Sequence, residues 1–409
     1  MITVKYDASD GGVLTNAPSV LELFILDSET AHMLDVAEAC SRCRCGCCKD
    51  QCPMYTELLE EGISPKGRNA LIRSVAKGIV EPDERAVRIA YSCLLCRRDE
   101  QSCTAGLRNS DATEAFRKYL LEKGAKLLPE HVALTKSLEN YGNPWQESKA
   151  SRKRWAKDME DHRVVHGKTN TLFYVGCTYS LDRSLQDGPK ALAGLMDKAG
   201  VSYGVLLEDE ICCGSTAKRI GDARLFEKLR KENEKRIRGT GVETVVTACA
   251  GCYKTLRQDY PDLSEDISIM HSSQFISELV DSGRLRFVRK NAKVTYHDPC
   301  HLGRHSEVYD PPRKALLSVP GLQLIEMKNS RQMSRCCGGG AGVKTAYPEI
   351  ALKAAKKRIL EAESTKADYL ITTCPFCVQT LRAAAAELGS KLKIEELSVF
   401  LLGLARKGG

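Results

Sequence analysis

Ten cysteines in the C-terminal part of this 409-residue chain are laid out twice in one pattern. The first copy is Cys177, then Cys212-Cys213-Gly214, then Cys249-x-x-Cys252; the second is Cys300, then Cys336-Cys337-Gly338, then Cys374-x-x-Cys377. Equivalent cysteines lie 123 (177 to 300), 124 (212 to 336) and 125 residues apart (249 to 374, 252 to 377), which marks a duplicated unit. A structural zinc ion takes four ligands in a tetrahedron, so five thiols per copy overfill it. Adjacent cysteines chelate one ion poorly but can reach different irons of a cluster, and the glycine after them lets the backbone come close. A polynuclear iron–sulfur site in each copy is therefore expected. Buried free thiols or a zinc knuckle are the alternatives, and a spacing kept in both copies disfavours them.

Positioning these thiols requires a rigid scaffold, and the flanking residues supply one. Apolar, β-branched runs lead into the cysteines: Leu172-Phe173-Tyr174-Val175 and Val242 to Val246 in the first copy, Val294-Thr295-Tyr296 and Tyr369-Leu370-Ile371-Thr372 in the second. Strands are predicted at 171–176, 203–207 and 243–247, and again at 293–297, 322–326 and 368–372. Helical patterns fall at 190–199, 223–237 and 348–363. Strands alternating with helices predict mostly parallel sheets with covered faces, and the cysteines then stand at the ends of buried strands. The fold class is α+β and multidomain: an N-terminal helical domain over 1–139, a polar linker over 140–168, and two α/β units over 169–290 and 291–409.

Nine further cysteines precede this region. In Cys40-x-x-Cys43-x-Cys45-x-Cys47-Cys48-x-x-x-Cys52-Pro53 the chain resembles one half of a bacterial two-cluster ferredoxin, C-x-x-C-x-x-C-x-x-x-C-P, where the cysteine before proline serves the other cluster. Counting back from Pro53 places Cys52, Cys48 and Cys45 in register, but the first position falls on Arg42. Either Cys43 or Cys40 supplies the missing ligand, or two residues are inserted and the set is Cys40, Cys43, Cys48 and Cys52; Cys47 is spare. The second half, Cys93-x-x-Cys96-x-x-Asp99-x-x-x-Cys103, keeps the register with Asp99 in place of a cysteine. A carboxylate is a harder iron ligand than a thiolate, so an Asp-ligated cubane and a three-iron cluster are both open. Between the halves, Ser64-Pro65 opens an amphipathic helix, and helical spacing continues at 86–90 and 115–121. A short helix is expected from Ser28 to Ala39, after a weakly structured start with a Gly11-Gly12 turn.

With these residues in view, the two repeats resemble the cysteine-rich CCG domains of heterodisulfide reductases. In that family each five-cysteine set holds a non-cubane 4Fe-4S cluster, and the disulfide of coenzyme M and coenzyme B is cleaved between them. The resemblance implies that Cys177, Cys212, Cys213, Cys249 and Cys252 hold one cluster, and Cys300, Cys336, Cys337, Cys374 and Cys377 the other. Residues of about 30 to 125 resemble the helical ferredoxin module that precedes CCG domains, which implies two ferredoxin-type clusters. The fusion resembles the D subunit of the membrane-linked enzyme. It implies an oxidoreductase that reduces a small-molecule disulfide, fed by a cytochrome b membrane subunit or a soluble flavin or iron–sulfur subunit. The expected location is the cytoplasm, or the cytoplasmic face of a membrane through that partner. Related iron–sulfur subunits of glycolate, lactate and glycerol-3-phosphate dehydrogenases share the architecture but often lack part of a set. Electron transfer for a flavin-dependent dehydrogenase is thus the alternative function.

Tyr296-His297-Asp298-Pro299-Cys300-His301 brings two imidazoles beside the second set. A histidine titrating near neutrality is a natural proton source for thiol release, and His301, next to the ligand, ranks ahead of His297. A structural role in orienting the ligand loop is the equal alternative. Gly338 to Gly342 lacks the spacing and preceding strand of a nucleotide-binding fingerprint, so close approach of backbone to a cluster explains it better. The chain carries 61 Lys and Arg against 53 Asp and Glu, a net charge of +8 that suits an acidic electron carrier, an anionic substrate, an anionic membrane face or simply a solvated surface. No apolar run reaches the roughly 18 residues of a membrane span, and no motif points to nucleic acid. The N-terminus lacks the pattern of a signal peptide, which fits reduced thiols that bind metal.

Overall fold

The structure is a computed structural model that describes residues 27–157 and 169–408. The expected Gly11-Gly12 turn, and the linker beyond 157 as far as 168, lie outside the described residues.

Each cysteine-rich unit is built on a four-stranded parallel sheet. The first unit has β1 (Thr171–Phe173), β2 (Tyr203–Gly204), β3 (Thr244–Thr247) and β4 (Ser268–His271), in the order β2-β1-β3-β4. After β5 (Leu285–Phe287) comes the second unit, with β6 (Ala292–Tyr296), β7 (Leu322–Leu324), β8 (Tyr369–Thr372) and β9 (Lys393–Glu396), in the equivalent order β7-β6-β8-β9. All pairs within these sheets are parallel. Leu172, Phe173, Val245 and Val246 are fully buried, as are Val294, Leu370 and Ile371, because helices cover both faces. The fourth strands, β4 and β9, extend the sheets beyond what the sequence pattern predicts.

The two units interlock. The last strand, β10 (Ala405–Lys407), pairs antiparallel with β5, Arg406 opposite Arg286. Helix Ser272–Asp281 of the first unit packs on helix Asp310–Leu317 of the second, and helix Leu397–Leu402 of the second packs on helix Asp187–Lys198 of the first. One apolar core runs through both units.

The N-terminal domain is helical, with Met33, Ile72 and Phe116 at the meeting of helices Ser28–Arg42, Pro65–Ala76 and Asn109–Glu122. The first of these is capped by Asp27, whose carboxylate accepts from the Thr30 N–H at 2.8 Å, one residue ahead of the expected start. Arg117, fully buried, joins the three domains: its guanidinium donates to the carbonyls of Ala90 and Cys93, of Arg219 in the first unit and of Ala341 in the second.

As far as it is described, the expected linker is packed. Helix Pro129–Tyr141 ends at Gly142, and a 3-10 stretch Lys149–Ala156 buries Arg152 and Trp155. The Trp155 ring meets Phe173 edge-on at 5.9 Å. Within the polar stretch expected as a linker, Arg152 turns inward, because the Glu210 carboxylate and the Cys177 thiol wait for it there.

Candidate iron–sulfur site

The cysteines lie where strands end and helices begin. Cys177 opens helix Cys177–Leu181 after β1, and Cys249 and Cys374 occupy the N-cap positions of helices Ala250–Gln258 and Pro375–Leu388 after β3 and β8. Both sets line one cavity of about 470 Å³: all five thiols of the first, and Cys300, Cys337, Cys374 and Cys377 of the second. The sets meet inside it, where the thiols of Cys249 and Cys374 adjoin and fix each other's ionisation. Cys337 and Cys377 have their sulfurs 3.3 Å apart. Gly176, at φ +82°, is required: a Cβ there would stand 3.1 Å from the Cys252 sulfur. Gly338, at φ +82°, likewise presses on the Ala351 carbonyl, so the glycine run is a packing device and no nucleotide loop.

Each set has its own polar support. In the first, Arg152 donates to the Cys177 sulfur at 3.1 Å and pairs with Glu210 at 3.1 Å. Glu210 in turn accepts from the backbone N–H groups of Val175 and Gly176, both at 2.8 Å. In the second, the His297 ring nitrogen and the sulfurs of Cys337 and Cys377 fall within 4.8 Å of one another. His297 Nδ1 accepts from Arg358 Nε at 3.0 Å, which puts the ring proton on Nε2. Burial and then Arg358 lower its pKa, so the imidazole stays neutral, and its Nε2–H has no hydrogen-bond partner of its own.

His301 also lines the cavity, 3.6 Å from where a Cβ on Gly251 would lie, which sets it against the first unit's ligand helix. Burial, with Arg219 and Lys254 nearby, pulls its pKa down to about 3. Its ring stands edge-on to His305, centroids 4.7 Å apart.

In the N-terminal domain the thiols divide into two groups. Cys40, Cys48 and Cys103 affect one another electrostatically, with Cys45 near Cys48, and Cys43 and Cys45 have sulfurs 3.3 Å apart. Cys47 is exposed. The second group is Cys52, Cys93 and Cys96 with the buried Asp99. This grouping is the one expected of a two-cluster ferredoxin, in which Cys52 and Cys103 change partners. Burial pushes Cys48 up to about 12 and Cys52 to about 11. Cys96 adjoins Cys336 of the second unit and shares an apolar cluster with it, so the second group touches the second CCG set directly.

The donor sets fit iron–sulfur clusters. Cys252 is pushed well up by the neighbouring Cys213 thiol, and Cys374 by Cys249, so without added positive charge only some sulfurs of a set can ionise. A polyiron core brings that charge, and thiolates are its natural ligands. No described helix is long and apolar enough to cross a membrane.

Arg152, Glu210, Tyr174, Asn233 and Arg358 escaped sequence reading. Aligning the two repeats carries the signal for some of them, since Tyr174 falls opposite His297 and Asn233 opposite Arg358.

Comparison with known proteins agrees with this geometry. The cysteine-rich domain model named CCG matches residues 171–257 and 294–382, so the chain carries two copies of this domain. In length and layout the chain is similar to the D subunits of heterodisulfide reductases. It is 29% identical over 408 residues to the D subunit of the dihydromethanophenazine:CoB–CoM heterodisulfide reductase of Methanosarcina mazei, covering 93% of this chain and 98% of that one. It is also 28% identical to the EtfAB:quinone oxidoreductase of Syntrophomonas wolfei, over 88% of this chain and 57% of that one. A hypothetical protein from Helicobacter pylori shares the fold, with a TM-score of 0.56 at 12% identity, over 92% of this chain and 76% of that chain.

Proposed function

We propose that the chain is the catalytic iron–sulfur subunit of a disulfide reductase complex, with the coenzyme M–coenzyme B heterodisulfide as its substrate. The observation that carries this reading is the single cavity onto which all five cysteines of the first set and four of the second open. The sets would hold two non-cubane 4Fe-4S clusters, which supply two electrons and iron atoms to which the released sulfurs can bind. Overall the disulfide takes up two electrons and two protons and yields two thiols.

The protein's own groups set the conditions for that change. Arg152 and Glu210 hold the Cys177 loop; His297, fixed by Arg358, stands beside Cys337 and Cys377 with its Nε2–H unpaired. His301, which lines the cavity, does not titrate near neutrality, so as the candidate group it would relay a proton to a departing sulfur as a neutral imidazole; His297 ranks second because its Nδ1 is already engaged. Electrons would come from a partner subunit, a cytochrome b membrane subunit or a soluble flavin or iron–sulfur subunit. They would enter at the partly exposed Cys43, Cys45, Cys48 and Cys103 and pass through the group that touches Cys336. Such a partner would hold the chain on the cytoplasmic face of a membrane.

The resemblance to an EtfAB:quinone oxidoreductase favours a second reading, electron transfer for a flavin-dependent dehydrogenase. Adding coenzyme M thiol to anaerobically oxidised protein separates the two. A thiol-induced paramagnetic signal supports the reductase; its absence, with iron and sulfide filling both sets, supports the conduit.

A further inference from the structure

The two ferredoxin-type motifs can be laid on each other residue by residue at an offset of 51. Gly46 and Arg97 both have positive φ, +71° and +58°. Cys47 (φ −58°, ψ −24°) matches Arg98 (φ −71°, ψ −38°), and Cys52 (φ −76°, ψ 113°) matches Cys103 (φ −78°, ψ 109°). Both of those last cysteines close their turn with an N–H to the carbonyl three residues back, Lys49 and Glu100. Between these fixed points Cys48 opens the one-turn helix Cys48–Gln51, and Asp99 opens the one-turn helix Asp99–Ser102. Asp99 thus occupies the backbone site of a ligand, and an arginine holding the left-handed conformation ahead of it keeps the turn that a ligand loop needs.

Its surroundings are those of a held ligand. Asp99 is 4% exposed, among Cys52, Cys93 and Cys96. Asn109 Nδ2 donates to its Oδ2 at 2.9 Å, and Asn69 Nδ2 fixes Asn109 Oδ1 at 2.8 Å, so the carboxylate is oriented by a supporting chain of amides. The buried Arg68, 4.0 Å from the Cys52 sulfur, balances the negative charge. We infer that Asp99 is the fourth protein ligand of the cluster held by Cys52, Cys93 and Cys96, giving it one iron bound through oxygen and exchangeable. The inference rests on clusters occupying this domain and is independent of which substrate the cavity takes. Oxygen is the harder and more weakly held donor on an iron–sulfur core, so this iron leaves first and another divalent metal can replace it.

Limited oxidation of anaerobic, iron-loaded full-length protein with ferricyanide tests this. At such a site one electron passes to ferricyanide and one ferrous ion leaves, turning a four-iron core into a three-iron core. The wild type is expected to lose one more iron per chain than D99C, to show a three-iron EPR signal that D99C lacks, and to take up one Fe²⁺ or one Co²⁺ after reduction. D99A is expected to bind one iron fewer from the start. Equal iron loss and equal spectra in wild type and D99C overturn the assignment, as does a D99A protein with the wild-type iron count and spectrum. If D99A does not fold, the wild type against D99C decides alone. Turnover is not read, so failure of the disulfide reductase reading leaves this result standing.

Discussion

In the first cysteine-rich unit Tyr174 and Asn233 stand behind the vicinal cysteines; at the equivalent positions of the second stand His297 and Arg358. Tyr174 donates to the Ile211 carbonyl and to Asn233 Oδ1, and Asn233 donates to the Cys212 carbonyl at 2.8 Å. That pair is neutral. The second pair brings a guanidinium that also reaches Ser334 Oγ at 3.0 Å and Glu361 at 2.9 Å. Conversely, the first unit has the Arg152–Glu210 pair on Cys177, whereas Ser334 stands opposite Glu210 in the second. Duplication preserved the sulfur positions and the sheet order, while the charges that tune the sulfurs diverged. Two sets alike in ligands are thus expected to differ in potential and in response to mutation.

The sharpest way to break this comparison is to remove one sulfur from each unit. C213A and C337A should each empty only their own unit, leaving the iron of the other set in place and abolishing disulfide turnover in both cases. Iron and sulfide counts with EPR check this; loss of both sets from either variant would mean that the units bind metal jointly. Next in size is R152M, which leaves Glu210 buried without its partner and should destabilise the protein by about 3–5 kcal/mol in urea unfolding. R152M/E210Q should recover most of that, since the stranded charge is gone.

Opposite pH limbs would sharpen the comparison. His271, at the end of β4, and Glu396, at the end of β9, are structural equivalents and both are buried. Burial lowers the His271 pKa from 6.5 to about 4, so below pH 6.5 the unfolded chain binds the proton and the folded chain does not; stability falls with acid down to about pH 4. Burial raises Glu396 from 4.5 to about 7, so between these values the folded chain keeps a proton the unfolded chain has lost; stability falls as pH rises. Each limb is worth roughly 3 kcal/mol. In the wild type they oppose one another between pH 4.5 and 6.5. H271Q should leave a Tm that falls as pH rises across that window, and E396Q a Tm that climbs.

The smallest effects belong to the pairs behind the vicinal cysteines. H297F should weaken retention of iron by the second set roughly 10- to 100-fold against a chelator, the usual effect of losing a group that orients a ligand. Y174F should cost about 1 kcal/mol of stability and leave iron retention in the first set nearly unchanged.

Much of this was legible in the sequence because cysteine is informative and strands ahead of it were apolar. The repeat, the three strands read in each unit and helix Pro348–Glu363 all follow from local pattern. What was not legible depends on partners far along the chain. β4 and β9 are short and mixed, Ser-Ile-Met-His and Lys-Ile-Glu-Glu, and become strands only because β3 and β8 offer them an edge. Arg152 lies in what reads as a polar linker; its burial follows from Glu210, 58 residues on, which no periodicity could announce. The ligands near Arg42 were ambiguous because helix Ser28–Arg42 runs through the place where the loop should begin, bringing Cys40 and Cys43 in from a helix end.

The pairing of β5 with β10 bears on how such a chain is made. During synthesis the first unit emerges well ahead of residues 405–407, yet an edge strand and a helix face of that unit stay uncovered until those residues leave the ribosome. Nascent chains halted within the second unit would therefore expose sticky surface to chaperones and proteases.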